Sequence, residues 1–157
     1  MTPSSRFRFR SPVRVRFIET DPQAVVNHAH FFAYFEAARM EYWQAVGFPL
    51  EKLRALGADD SVVSAEATYR APARFYDRLD VHVRTSRLGR TSYTVEFLAT
   101  RGEAAEVIAE GRTTHVIVDL QTRRPTPIPD PFRAALQAFE GSTLEGGAGG
   151  QGPGAGA

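Results

Sequence analysis

From His30 to Val46 apolar and aromatic side chains recur at helical spacing through Phe31, Tyr34, Phe35, Ala38, Tyr42 and Ala45, and Gly47 stands where such a helix would stop. A helix this apolar needs a broad surface to cover it. The rest of the chain offers strands for the purpose. Val62 to Tyr69, Leu79 to Leu88, Thr91 to Arg101 and Ala104 to Asp119 are rich in β-branched and aromatic residues, with turns at Leu88-Gly89-Arg90 and Gly102-Glu103. A further strand is predicted ahead of the helix, over Val13 to Ile18, with Pro12 at its edge. One strand, one long helix and a four-strand meander define an α+β fold, with a curved antiparallel sheet wrapped around the helix.

Shorter elements fill the gaps. Pro49 to Leu56 reads as a short helix ended by Gly57, and Asp59 and Asp60 read as an acidic loop. Asp130 and Pro131 resemble an N-cap and first helical residue, which predicts a terminal helix over Pro131 to Glu140. The chain of 157 residues, 43% of them hydrophobic, suits a single domain over residues 1 to 140. Residues 141 to 157 are dominated by glycine and alanine, too poor in apolar surface to offset their ordering entropy, and are expected to be a disordered tail.

Nineteen basic against eighteen acidic residues give a net charge of +1, which argues against a nonspecific nucleic-acid surface. Arg6, Arg8, Arg10, Arg14 and Arg16 alternate with other residues, as on the solvated face of a strand. There is no cysteine, so thiol nucleophiles, disulfides and thiolate metal sites are excluded. No apolar run approaches a membrane span and no signal-like segment opens the chain, so a cytoplasmic location is expected.

The candidate chemistry gathers just before the long helix. Asp21 lies a few residues upstream of a helix start, where unpaired N–H groups and the positive end of the dipole favour an oxyanion. A carboxylate beside such amides can act as a nucleophile or activate water against a carbonyl, which suits acyl transfer or hydrolysis. On local sequence alone, Asp21-Pro22 reads more readily as a simple turn and Asn27 as a helix cap. His28 and His30 lie two apart and share no helix face, while His82 and His115 are distant, so no metal site is predicted. Glu36, Arg39 and Glu41 are read as structural, with the polar side of the helix turned toward a neighbouring subunit.

Thr20, Asp21, Val25, Val26, His28, Phe31, Tyr34, Phe35, Glu36, Ala38, Arg39 and Glu41 resemble the signature of the 4-hydroxybenzoyl-CoA thioesterase-like hotdog family. The blocks at Val62 to Val81 and Asp119 to Pro129 resemble later parts of the same pattern, so the likeness runs over roughly residues 12 to 130. Two departures stand out: Ala24 occupies the usual glycine of the acidic turn, and Phe31 a frequent tyrosine. The resemblance implies a hotdog fold and hydrolysis of an acyl-CoA to free acid and CoA. Asp21 would be nucleophile or general base, and the amide near His28 would polarise the carbonyl. It also implies a homodimer or homotetramer with active sites at the subunit interface, and no cofactor, since CoA is part of the substrate. His28 itself is expected to line the acyl pocket or orient Asp21. Substrate contacts are expected from Phe31 and Tyr34 for the acyl group, Glu66 as a secondary carboxylate, and Arg87, Arg90, Arg123 and Arg124 for the CoA phosphates. Two further readings keep the fold: a thioesterase acting on an acyl carrier protein, and a noncatalytic binder of acyl-CoA or another small acid.

Overall fold

A computed structural model of the chain describes residues 2–145. It contains β1 (Phe9–Arg14), α1 (His30–Val46), α2 (Leu50–Ala55), β2 (Ala58–Tyr69), β3 (Arg78–Leu88), β4 (Ser92–Arg101), β5 (Glu106–Asp119) and α3 (Asp130–Glu140). The five strands form one antiparallel sheet in the order β1-β3-β4-β5-β2, so β1 and β2 are its edges. No helix among the described residues is long and apolar enough to cross a membrane.

The helix α1 has the bounds its periodicity predicts, and Gly47 closes it in the left-handed region at φ +82°. Its Phe31, Tyr34, Phe35, Ala38, Tyr42 and Trp43 are buried against the sheet. Phe35 stacks on Phe97 of β4 at 4.8 Å between ring centres. That ring lies where a Cβ on Gly111 would stand 2.4 Å from Phe35 Cε2, so β5 has glycine at the point of closest approach to the helix.

Three sequence expectations are corrected. The first strand spans Phe9–Arg14 rather than Val13 to Ile18, because the chain turns immediately after it. Phe17–Glu19 is a 3-10 turn, closed by the Glu19 carboxylate accepting the Arg16 N–H at 2.7 Å. Pro12 is tolerated because β1 is an edge strand. Asp59 and Asp60 are not a loop but the start of β2, where Asp60 accepts hydrogen bonds from Arg39 and Tyr93. The fold also continues past residue 140: Gly141–Thr143 is a 3-10 turn, and the Arg84 guanidinium donates to the Thr143 carbonyl at 2.8 Å and to Glu145 at 2.6 Å. The remainder of the expected glycine- and alanine-rich tail lies outside the described residues.

Ala24 has φ +60°, a left-handed conformation that costs an L-residue with a side chain roughly 1–2 kcal/mol. Glycine would relieve this strain but lose roughly 0.5–1 kcal/mol through the greater freedom of the unfolded chain. Ala24→Gly is therefore expected to stabilise the protein by about 0.5–1 kcal/mol. Thermal unfolding should register a rise in Tm of roughly 2 °C.

Candidate active site

Between β1 and α1 the chain makes a compact loop whose hydrogen bonds are made locally. The Asp21 N–H donates to the Val25 carbonyl at 2.9 Å, and the Ala24 N–H donates to the Asp21 carbonyl at 2.8 Å. One carboxylate oxygen of Asp21 accepts the Gln23 N–H at 2.8 Å. Two longer-range contacts fasten this loop: the Asn27 N–H donates to the Glu19 carbonyl at 2.9 Å and the Val26 N–H to that of Ala73 at 2.8 Å.

Glu19 clamps the loop from beneath. It is buried, and the Tyr34 hydroxyl of α1 donates to it at 2.9 Å. Burial alone would raise the pKa of this carboxyl, but the Arg16 N–H, the Tyr34 hydroxyl and the Arg16 charge outweigh that effect and hold it below its ordinary value. Burial, followed by the hydrogen bond to Glu19, pushes the Tyr34 phenol above its ordinary value. The Tyr34 hydroxyl is thus committed to Glu19, and Tyr34 is not among the residues that line the cavity described below.

The amides entering α1 are nearly all used. Those of Val26 and Asn27 donate as above, that of Ala29 donates to Asn27 Oδ1 at 2.9 Å, and those of His30, Phe31 and Phe32 donate to carbonyls three residues back. Among the described residues, the His28 N–H is the one amide in this run with no partner in the chain. The helix N-cap is Ala29 rather than Asn27, whose side chain instead closes the turn just ahead of it.

Asp21 and His28 line a cavity of about 410 Å³ together with Val25, Val26, Phe31, Tyr69, Arg70 and residues 71 to 73. Tyr69 ends β2 and donates its hydroxyl to the His28 carbonyl at 2.8 Å. Its ring lies 5.4 Å from that of Phe31 and edge-on to His28 at 6.2 Å. The cavity is therefore lined by an aromatic wall, the Asp21 residue and His28, whose amide is unpaired within the chain among the described residues. Such a combination can hold an apolar acyl group while polarising its carbonyl.

Sequence reasoning assembled Asp21, His28 and Phe31 but missed Tyr69 and Arg70. Both lie within the second family block, yet their place in the site depends on where β2 ends relative to a helix start some forty residues earlier. The Arg70 guanidinium is held by Glu110, with Nε 2.9 Å from the carboxylate. Other predicted contacts fall elsewhere. Gly111 faces Phe35, so its neighbour Arg112 and that residue's cross-strand partners Glu66 and Glu96 occupy the opposite face of the sheet. There Glu66 lines a different cavity, of about 570 Å³, and lies 3.9 Å from Arg112. Arg87 and Arg90 flank the β3–β4 hairpin, and Arg123 pairs with Asp59 at 3.0 Å. Arg90, Arg123 and Arg124 lie at the far end of the sheet, roughly 33 Å along the strands from Tyr69 within one chain, and Arg87 lies level with Ser64, roughly 17 Å from it.

A long helix in the grip of a five-stranded antiparallel sheet, with an acidic loop at the helix start, places the chain among the hotdog-fold thioesterases. Residues 15–136 match the family model described as the thioesterase-like superfamily, and the chain belongs to that family. It is 31% identical over 129 residues to the acyl-CoA thioester hydrolase YbgC of Escherichia coli, across 82% of this chain and 96% of the relative. It is 34% identical over 105 residues to an Aquifex aeolicus protein described as a putative esterase, across 67% of this chain and 80% of that one. Among solved structures it is similar to a Thermus thermophilus thioesterase complexed with coenzyme A and Zn, with TM-score 0.74 and 35% identity, covering 87% of this chain and 98% of that one.

Proposed function

We propose that the protein hydrolyses an acyl-CoA thioester to the free acid and CoA in the cavity at the start of α1. The observation that carries this reading is the Asp21 carboxylate sharing one cavity with the unpaired His28 N–H. That amide donates to no acceptor within the chain among the described residues, and is left to donate to the thioester oxygen, where negative charge develops as the carbonyl carbon is attacked. Asp21 draws a proton from the water that attacks that carbon, or attacks it directly to form a mixed anhydride that water then cleaves to free acid and the restored carboxylate. Thiolate leaves as CoA. The Tyr69 hydroxyl donates to the His28 carbonyl and so ties residue 28 to the end of β2, one peptide beyond the one that carries the donor. Phe31, His28 and Tyr69 supply an apolar wall for the acyl group.

The test is CoA release from short, long and aromatic acyl-CoAs by the purified protein. Turnover of any member supports the reading, and the preferred one names the acyl class. Acyl-CoA binding with no release from any of them would sink hydrolysis and favour a noncatalytic binder.

The working unit in this reading is a dimer. The edge strand β2 is twelve residues long and carries exposed Val62 and Val63 near its middle, an edge suited to pairing with another strand. Antiparallel pairing of two β2 strands about their centre sets the Ala58 end of one against the Tyr69 end of the other. The partner's Arg123 and Arg124 turn would then approach the Asp21 cavity, which gives these arginines a role toward the CoA phosphates that they cannot have within one chain. Replacing Val62 and Val63 together by lysine is expected to halve the mass measured by light scattering and to lower CoA-ester turnover in parallel. A variant that remains a dimer with full activity would remove β2 from the interface.

A further inference from the structure

We propose that an aromatic and arginine-bearing patch beside the active-site loop docks the protein on an anionic phospholipid bilayer. The patch has two strips. Phe17 and Ile18, in the turn after β1, are 72% and 78% exposed; Phe75 and Tyr76, ahead of β3, are 46% and 63% exposed. The strips touch, with the Phe17 and Phe75 rings 5.6 Å apart and edge-on, and Phe75 and Tyr76 4.3 Å apart. Large apolar side chains held outward and in mutual contact cover no core of their own, and mark an interaction surface.

The backbone contributes to their display. Tyr76 has φ +73°, a conformation disfavoured for a bulky side chain, and its ring is turned to the surface rather than buried in compensation. Beneath it Arg14 of β1 and Arg78 of β3 are directly cross-strand partners, both exposed, and the Arg14 guanidinium lies 5.4 Å from the centre of the Tyr76 ring. Like charges set opposite each other are unfavourable unless an anion lies between them. The nearby carboxylates are engaged elsewhere, Asp77 with Arg101 at 2.6 Å and Asp80 with Arg10 at 3.2 Å. Among the described residues, neither Arg14 nor Arg78 forms an ion pair within the chain. Exposed Arg16 and Arg74 extend the basic rim.

The charge identifies an anionic occupant, and the shape favours a bilayer over a protein helix. An amphipathic helix needs a groove to receive its apolar face, whereas these side chains project from two turns. Projecting aromatic and aliphatic residues ringed by arginine suit insertion at the headgroup boundary, with each arginine attracted to anionic lipid. The patch lies at the β1–β3 side of the sheet, away from the β2 edge, so pairing through β2 leaves it open. The segment from residue 70 to 77 joins it to the wall of the Asp21 cavity, which would face substrate arriving from the membrane surface.

The experiment is vesicle flotation of the full chain with phosphatidylcholine alone and with phosphatidylglycerol added. Binding is expected only to the anionic vesicles, weakening with salt. Phe17→Ser/Ile18→Ser and Arg14→Glu/Arg78→Glu should each lower the apparent vesicle affinity by about tenfold or more, with unfolding midpoints and turnover of a short, soluble acyl-CoA unchanged. Failure of the wild type to bind anionic vesicles, or equal binding by the variants, overturns the proposal. So does a fall in the solution mass of either variant, which would make the patch a contact between copies of the chain, and so does wild-type binding to a soluble acidic helical peptide but not to vesicles. Because lipid binding rather than CoA release is the readout, these outcomes stand apart from the thioesterase reading.

Discussion

Asp21→Asn is expected to reduce kcat/KM for CoA release by about 10²–10⁴, the span a positioned acid–base group supplies, with the unfolding transition unchanged. Asparagine keeps the shape and retains a carbonyl oxygen for the Gln23 N–H, which the native carboxylate accepts at 2.8 Å, so the loop should hold. What it loses is the negative charge and the basicity. A helix start and an unpaired His28 amide remain in the variant, so the substrate carbonyl is still polarised and residual turnover above the uncatalysed rate is expected. The loss should fall on kcat more than on KM, since the acyl wall of Phe31 and Tyr69 is untouched. An Asp21→Asn protein retaining full turnover would dismiss this carboxylate from the chemistry and leave the cavity a binding site only.

The same loop shows how much of the molecule its sequence discloses. The helix α1 is legible because a period of 3.6 runs unbroken from Phe31 to Tyr42 and ends on a glycine that adopts positive φ. The strands of the meander are legible because β-branched runs alternate with strong turns. The first strand is displaced by several residues, since Val15, Phe17 and Ile18 continue an alternation that the chain abandons in space. Its end is set by Glu19 folding back on Arg16 and receiving Tyr34 from a helix not yet formed in the sequence order. No local pattern encodes that contact.

Candidate site residues divide along the same line. Asp21 and His28 belong to one contiguous motif and could be read together. Tyr69 and Arg70 join them through the length of β2, and for the same reason Arg90, Arg123 and Arg124 fall at the far end of the sheet and Arg87 partway along it. Charge and loop position are visible in a sequence; which end of a sheet a loop occupies depends on register. A mid-helix arginine is the sharpest case. Arg39 and Glu36 look like a surface i,i+3 pair, and they are 2.7 Å apart, but the Arg39 side chain is only 4% exposed.

Arg39→Leu is expected to cost about 3–5 kcal/mol, a large share of the 5–15 kcal/mol typical of a folded domain. The wild-type guanidinium bridges α1 to β2, donating to Asp60 at 2.8 Å, while Tyr93 and His115 complete the carboxylate at 2.6 and 3.2 Å. Burial penalises the charged Asp60, yet the His115 hydrogen bond, the Arg39 charge and Tyr93 together hold its pKa below the ordinary value of 3.8. Removing Arg39 leaves that buried charge short of its cation. Arg39→Leu/Asp60→Asn should recover part of the loss, because no uncompensated charge then remains. Urea unfolding at fixed protein concentration measures both, with the concentration held because subunit association shifts apparent stability. The pH dependence distinguishes an ionic role from lost packing. A carboxyl with a depressed folded pKa contributes its stability above the unfolded value and loses it as the pH falls through the folded one, so wild-type stability should decline below about pH 4. In Arg39→Leu the folded pKa of Asp60 rises, and this acid-dependent decline should shrink. An acid limb that keeps its full slope would assign the wild-type decline to other carboxylates, and the loss in Arg39→Leu to packing alone.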